Sequence, residues 1–387
     1  MPGSRGVDNL AAMDFSFDVT IIGAGVVGLA VAASVARPGL EVCVVERHDG
    51  FGRETSSRNS EVVHSGIYYP PDSLKTRLCV RGRALIYEIC AKNGIPHARM
   101  GKLVVAARPE EVPDLEELAR NGRRCGVDDL VLLSKDELAR LEPNVRGEAA
   151  LLSPSAGIVD SHGLMRYFEG AARSRGAAFL YNREAVGLEP DREGFTVIIR
   201  EGTETLDFRT RTVVNAAGLG AERIAALAGI DPDRAGYRIR PCKGEYFRLR
   251  RRAGTAVNRL IYPVPRLDSG GLGVHVTVDL QGELKLGPNA FYVTTLDYDV
   301  DPGHRDQFYE STRPYLPLVE PDDIEPAMAG IRPKLQGEGE GFRDFVIRRE
   351  EDKGLPGLVN LIGIESPGLT AAPAIGELAA RLLAEIL

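Results

Sequence analysis

The stretch that decides the fold runs from Asp18 to Glu46 and reads DVTIIGAGVVGLAVAASVARPGLEVCVVE. Val19-Thr20-Ile21-Ile22 is an apolar strand, and Gly23-Ala24-Gly25-Val26-Val27-Gly28 is a turn that runs on as a small-residue helix. A second strand, Val42-Cys43-Val44-Val45, ends on an acid, Glu46, 18 residues after Gly28. Each part has a mechanical task in holding a dinucleotide. Gly23 permits the tight turn, Gly25 lets a pyrophosphate approach bare backbone, and Gly28 lets the helix lie close on the strand. The helix N-terminus offers free N–H groups and the positive end of its dipole to phosphate. Glu46 can accept hydrogen bonds from ribose hydroxyls. A glycine turn in some other α/β protein is the competing reading. The strand before it, the helix after it and the acid at the end weigh against that reading.

Working outward, the chain has 387 residues, 43% of them hydrophobic, which is enough for a substantial core and for two domains. A net charge of −7 argues against nucleic acid as a partner, and an anionic substrate would need a basic pocket set against that global charge. The five cysteines, Cys43, Cys79, Cys90, Cys125 and Cys242, are scattered, odd in number and form no CxxC. This speaks against a disulfide framework or a zinc site, no metal is expected, and a reducing compartment fits. No apolar run is long enough for a transmembrane helix. Residues 1–17 read as a disordered tail without the apolar core of a signal peptide. Cytoplasmic residence is therefore expected, with a peripheral membrane contact left open.

After Glu46 comes a loop dense in Gly, Ser, Thr and Arg, containing Arg47, Thr55, Ser56, Arg58, Asn59 and Ser60 and breaking at Pro70-Pro71. Beside a dinucleotide site it can supply hydroxyls and N–H groups to phosphates and to a ring system. Leu74–Asn93 reads as an amphipathic helix stopped by Gly94. Lys102–Ala107 is a short strand, with surface helices over Pro109–Gly126 and Lys135–Glu142. Alternating strands follow at Ala177–Tyr181, Ala185–Glu189, Phe195–Arg200 and Thr205–Arg209. Then comes a separate buried strand, Val213-Val214-Asn215-Ala216-Ala217-Gly218, whose small residues let backbone pass close to a cofactor. Strand-like runs between Tyr237 and Asn289 suggest an antiparallel sheet. Ala329-Gly330-Ile331-Arg332-Pro333 reads as a glycine turn presenting one arginine. Glu365-Ser366-Pro367-Gly368-Leu369-Thr370 feeds a last helix from Ala374 to Leu387.

These pieces together resemble the D-amino-acid oxidase superfamily of FAD enzymes, and within it the L-2-hydroxyglutarate dehydrogenase/oxidase type. The most specific residues are His64-Ser65-Gly66-Ile67-Tyr68-Tyr69, Ser73-Leu74-Lys75, Leu78-Cys79-Val80, and Gly101-Lys102-Leu103-Val104-Val105-Ala106. Tyr262-Pro263-Val264-Pro265, Leu272-Gly273-Val274-His275 and Leu286-Gly287-Pro288-Asn289-Ala290 add to them. The segment between Asn289 and Ala329 and the loop Glu365–Thr370 depart from the hydroxyglutarate enzymes. The resemblance implies an α/β fold: a Rossmann-like FAD-binding domain of the D-amino-acid oxidase type and a second, antiparallel-sheet substrate domain. Residues 18–100, 150–236 and 330–387 would form the first, discontinuously, and 101–149 and 237–329 the second. FAD rather than NAD is implied. Its contacts would be Gly23, Gly25, Val26, Val27, Gly28, Glu46 and Arg47; Thr55, Ser56, Arg58, Asn59 and Ser60; Val186, Ala217 and Gly218; Gly330 and Arg332; and Ser366, Pro367, Gly368, Leu369 and Thr370.

The chemistry so implied is oxidation of a 2-hydroxy acid, L-2-hydroxyglutarate first among them, with oxygen, a quinone or an electron-transfer protein as final acceptor. Such a reaction needs cations for the carboxylate and a base for the hydroxyl proton. Arg332, in Gly-Ile-Arg-Pro, is the first choice for the carboxylate, because a guanidinium fork fixes its orientation bidentately. Lys243 is the candidate for a distal carboxylate, with a sheet-edge lysine as the alternative. His64 and His275 are the candidate bases, since imidazole titrates near working pH. A packing role for His64 and a core role for His275 are the competing readings. Tyr246 and Tyr262 are expected to line the pocket as hydrogen-bond donors. Two other functions stay open: oxidation of a small amine or amino acid, and a flavin-bearing assembly protein without turnover. The second predicts that Arg332, His275 and Lys243 do not converge.

Overall fold

In the computed structural model, residues 16–250, 257–265 and 273–387 are described. Strand β1 (Ser16–Ile22), helix α1 (Val26–Val35) and strand β2 (Val42–Val45) form the expected unit. β1 and β2 run parallel, with Val19 opposite Val42 and Ile22 opposite Val45. Of the expected tail, residues 1–15 lie outside the described residues; Ser16 and Phe17 are already β1, with Phe17 buried against Phe208.

α1 is apolar all round because it is covered all round. It packs against the helices Ser161–Arg173 and Gly368–Ala384. The second crossing is close: a Cβ on Gly376 would stand 2.5 Å from the Ala30 carbonyl oxygen. The helix over Leu74–Asn93 starts and stops as the sequence dictates. Ser73 caps it by accepting from the Thr76 N–H, and Gly94 ends it with φ 65.

β1 and β2 sit in an eight-stranded sheet. Beside β1 lies one long strand, Glu204–Asn215, where the sequence suggests two pieces. Its first half pairs antiparallel with Phe195–Glu201, and its last three residues pair parallel with Leu355–Ile362. The strand switches partners without breaking, so the change of composition near Thr210 marks a change of neighbour.

The second sheet has nine strands. It is antiparallel except where Leu260–Pro263 runs parallel to Lys102–Ala106. Its widest pairing joins Arg240–Leu249 to Ile324–Lys334, with Cys242 opposite Arg332 and Gly244 opposite Gly330. Gly330-Ile331-Arg332-Pro333 thus lies within a paired strand and is not the expected turn. Gly330 is required by close approach: a Cβ there would meet the Arg58 carbonyl oxygen at 2.1 Å. The last helix begins at Gly368, six residues before the expected Ala374, and Pro373 lies inside it. Burial of Thr370, Ala371 and Ala372 overrides the proline's cost.

Candidate active site

The glycine turn opens onto a cavity of about 1100 Å³ that both sheets line. Gly23 takes φ 108, and a Cβ on it would meet the Ala216 carbonyl oxygen at 2.6 Å. Gly28 does not reach the cavity. Its missing side chain serves packing, since a Cβ would fall 2.0 Å from the Gly23 carbonyl oxygen. The α1 N-terminus has no capping side chain of its own. Instead the Val26 N–H donates to Ser56 Oγ at 2.9 Å, which ties the loop after β2 to the turn. Glu46 accepts from the Ala24 and His48 N–H groups at 2.8 and 2.9 Å. A carboxylate has further lone pairs for hydroxyl donors.

Gly23, Gly25, Val26, Val27, Glu46 and Arg47 line one part of the cavity, with Ala217 and Gly218 from the end of the long strand. Thr55, Ser56, Arg58, Asn59 and Ser60 line it from the loop, and Thr55 Oγ1 donates to the Ile331 carbonyl at 2.8 Å. Gly330 and Arg332 line it from the second sheet, and Ser366, Pro367, Gly368 and Leu369 from the last loop. Besides Gly28, two expected members lie elsewhere. Ala185 lines the cavity in place of Val186, because neighbouring strand residues face opposite ways. Thr370 is fully buried: its hydroxyl accepts from the His64 N–H at 3.0 Å and donates to the Val62 carbonyl at 3.2 Å, clamping the histidine loop to the last helix.

Arg332 faces the cavity. Its Nε donates to the Cys242 carbonyl at 3.4 Å and its Nη2 to the Asn289 carbonyl at 3.1 Å. It makes no ion pair with any described residue; burial works against its charge, but Cys242, Glu365 and Tyr246 outweigh burial and raise its pKa. Tyr246 and Gly244 share that lining. Lys243 does not, and the expectation of a distal carboxylate cation there is corrected. On the strand Arg240–Leu249 it points to the other face, where its Nζ pairs with Asp297 at 3.1 Å beside the buried Glu245.

His64 and His275 both line the cavity. Burial pushes His275 down to about 3, with Lys102 and Arg332 adding to the effect against its bond to Gly273. His64 is held well below the usual imidazole range by burial first, then by Lys102 and His275. Both rings are therefore uncharged. His275 Nδ1 lies 3.0 Å from the Gly273 carbonyl, so that nitrogen carries the proton. Its Nε2 has no hydrogen-bond partner and presents a lone pair. His64 Nε2 is 3.5 Å from Ser366 Oγ. Tyr262 does not line the cavity. It is fully buried behind His275, stacked on it at 3.8 Å between centroids and 13° between planes, which corrects its expected role as a lining donor.

The cavity holds residues that pattern reading missed. Lys75 and Glu365 form a buried ion pair at 2.9 Å, both in the lining. Lys75 lies in a family-like motif, but its partner is 290 residues away. Tyr69 donates to the Ser366 carbonyl at 3.1 Å, joining the same two segments.

A glycine turn at the end of a parallel strand, opening onto a deep cavity lined by an arginine and a histidine from the second sheet's side and a histidine from a loop, defines a dinucleotide-dependent oxidoreductase. The chain belongs to the FAD dependent oxidoreductase family, whose model matches residues 18–382. It is 40% identical to the mitochondrial L-2-hydroxyglutarate dehydrogenase of Arabidopsis thaliana, covering 93% of this chain and 82% of that protein. It is 33% identical to the L-2-hydroxyglutarate dehydrogenase of Escherichia coli strain K12, over 71% of this chain and 64% of that one. Among solved structures, FAD-bound L-α-glycerophosphate oxidase from Mycoplasma pneumoniae superposes with a TM-score of 0.86 at 28% identity, covering 96% and 95% of the two chains. Glycine oxidase from Geobacillus kaustophilus shares the fold at 23% identity and a TM-score of 0.79.

FAD fits the residues present. The turn at Gly23–Val27 has room for a pyrophosphate only because side chains are missing, and Glu46 is buried where a ribose hydroxyl can reach it. Among the described residues no helix is long and apolar enough to cross a membrane.

Proposed function

We propose that this chain oxidises a 2-hydroxy acid, with L-2-hydroxyglutarate giving 2-oxoglutarate as the leading pair. The observation that carries this reading is a guanidinium with no acid partner among the described residues, Arg332, facing the same cavity as two uncharged imidazoles. Similarity to relatives named for that substrate supports it. When bound, FAD supplies the two-electron acceptor for the C2 hydrogen. Arg332 holds the C1 carboxylate, and its fork sets which face of C2 is presented. One of the two imidazoles takes the hydroxyl proton; His275 Nε2 is the nitrogen left without a partner, and His64 stands beside it. An amine substrate would arrive protonated and would have to lose a proton before reaction. All five cysteines are unpaired and buried, which supports residence in a reducing compartment.

The test is anaerobic mixing of the oxidised holoenzyme with L-2-hydroxyglutarate, its D-enantiomer, L-lactate, glycine and sarcosine, following flavin absorbance. L-2-Hydroxyglutarate should bleach the flavin and yield 2-oxoglutarate. Bleaching by the amines alone would replace this reading with amine oxidation.

A further inference from the structure

We propose that Lys102 is a positioning residue for the histidine pair: its buried amine acts through the stacked Tyr262 ring and keeps His275 and His64 in the proton-accepting form. The proposal deepens the reading above and rests on it for the identity of the base.

Lys102 lies on the strand Lys102–Ala106, opposite Leu260 on one side and Ser153 on the other. It is fully buried, and its Nζ has no hydrogen-bond partner among the described residues. The Nζ stands 4.3 Å from the centre of the Tyr68 ring and 4.8 Å from that of Tyr262. Tyr262 is the ring stacked on His275, so amine, phenol and imidazole form one column. The hydroxyls of Tyr68, Tyr262 and Ser153 are also buried without partners. A methionine would fill this space without the cost of burying an amine, which is several kcal/mol for an unpaired ion. Ring faces recover part of that cost for the charged form.

The groups facing this column are all neutral or cationic. Cys79 comes from the helix Leu74–Asn93, its thiol pushed up to about 12, and Arg83 stands one turn further on. His64 and Tyr68 come from the loop, Tyr262 from its strand, His275 from the segment before Val276–Val278, and Arg332 from Ile324–Lys334. Glu365 acts on Arg332, but among the described residues no carboxylate pairs with Lys102 or either imidazole. Lys102 itself is brought down to about 7 by burial, so it carries charge on the acid side of neutrality. That is also the range in which a free imidazole takes a proton and ceases to be a base. A buried cation on the far side of the stacked ring adds to the effect of burial in opposing that proton.

The test compares Lys102→Met and Lys102→Arg holoenzymes with the wild type. The pH profile of kcat/KM for L-2-hydroxyglutarate is recorded, and the imidazole resonances of isotope-labelled histidine are titrated without substrate. Lys102→Met should move the acid limb upward by roughly one pH unit and leave the alkaline plateau unchanged. Lys102→Arg should keep the wild-type limb. An acid limb that stays in place in Lys102→Met, or moves equally in both variants, overturns the proposal. If Lys102→Met does not fold, His64 and His275 titrating in the wild type within the free-imidazole range would overturn it, and titration well below that range supports it. If no 2-hydroxy acid reduces the flavin, the functional reading fails, while the resonance titration still reads the effect of Lys102 on the imidazoles.

Discussion

Replacing Arg332 by alanine tests the anchor on which the proposed reaction depends. The guanidinium reaches the cavity from the strand Ile324–Lys334, held by the Cys242 and Asn289 carbonyls at 3.4 and 3.1 Å. These bonds are longer than the usual 2.9–3.0 Å for N–H···O, so the head is steered without being consumed. No described carboxylate pairs with it, and the substrate's carboxylate would be its only anionic neighbour in direct contact. Truncating one side of such a desolvated charged pair costs about 2–5 kcal/mol, or roughly 30- to 5000-fold in kcat/KM. Arg332→Lys keeps the charge but loses the fork. One charge-assisted bond is worth about 1.5–3 kcal/mol, so the loss should be roughly 10- to 150-fold. The assay is anaerobic stopped-flow reduction of the bound flavin over a range of L-2-hydroxyglutarate concentrations, with flavin content measured first. Arg332→Ala should retain FAD and lose reduction rate on every 2-hydroxy acid. A variant that reduces its flavin with wild-type kcat/KM would refute the reasoning, because the carboxylate would then be held elsewhere.

Three further outcomes follow from the same structure. Lys243→Ala should leave the ratio of kcat/KM between L-2-hydroxyglutarate and short monocarboxylates unchanged, since the side chain pairs with Asp297 away from the cavity; a selective loss on the dicarboxylate would show that the strand turns over in solution. Gly376→Val should lower the melting temperature by an overpacking cost of about 1–3 kcal/mol, read by calorimetry, because the new side chain meets the Ala30 backbone; unchanged melting would mean the two helices are free to part. The fold should lose stability as pH falls from 6.5 toward 3, because the unfolded chain binds a proton at His275 that the folded chain, with its imidazole held at about 3, refuses. That contribution is fully present above pH 6.5, and His275→Gln should flatten this part of the melting-temperature profile; an unaltered slope would remove His275 as its source.

What was legible in the sequence was what is local. The turn at Gly23–Gly28 and the acid at Glu46 lie within one strand–helix–strand unit. The helix Leu74–Asn93 could be placed to the residue because Ser73 and Gly94 are chemical stops. Elements whose shape is set by distant neighbours were misread. Glu204–Asn215 was divided where it changes partner, and the last helix was started after Pro373 because the packing that tolerates the proline comes from elsewhere in the chain.

The site divides along the same line. Lys243 and Tyr246 cannot both face the pocket, because they are three residues apart on one strand, and residues at odd spacing face opposite ways. Once Tyr246 or Gly244 is given to the cavity, Lys243 must leave it. Lys102 is the opposite case. Every residue of Lys102–Ala106 is buried, so alternation carries no signal there and the lysine reads as one more member of a motif. Its meaning comes from Tyr68, Tyr262 and His275, which the chain delivers from a loop and from a different part of the second sheet. A buried lysine without an anion is conspicuous only after those three have been placed around it. Until then nothing in the five letters KLVVA separates a residue that tunes the histidines from one that fills the core.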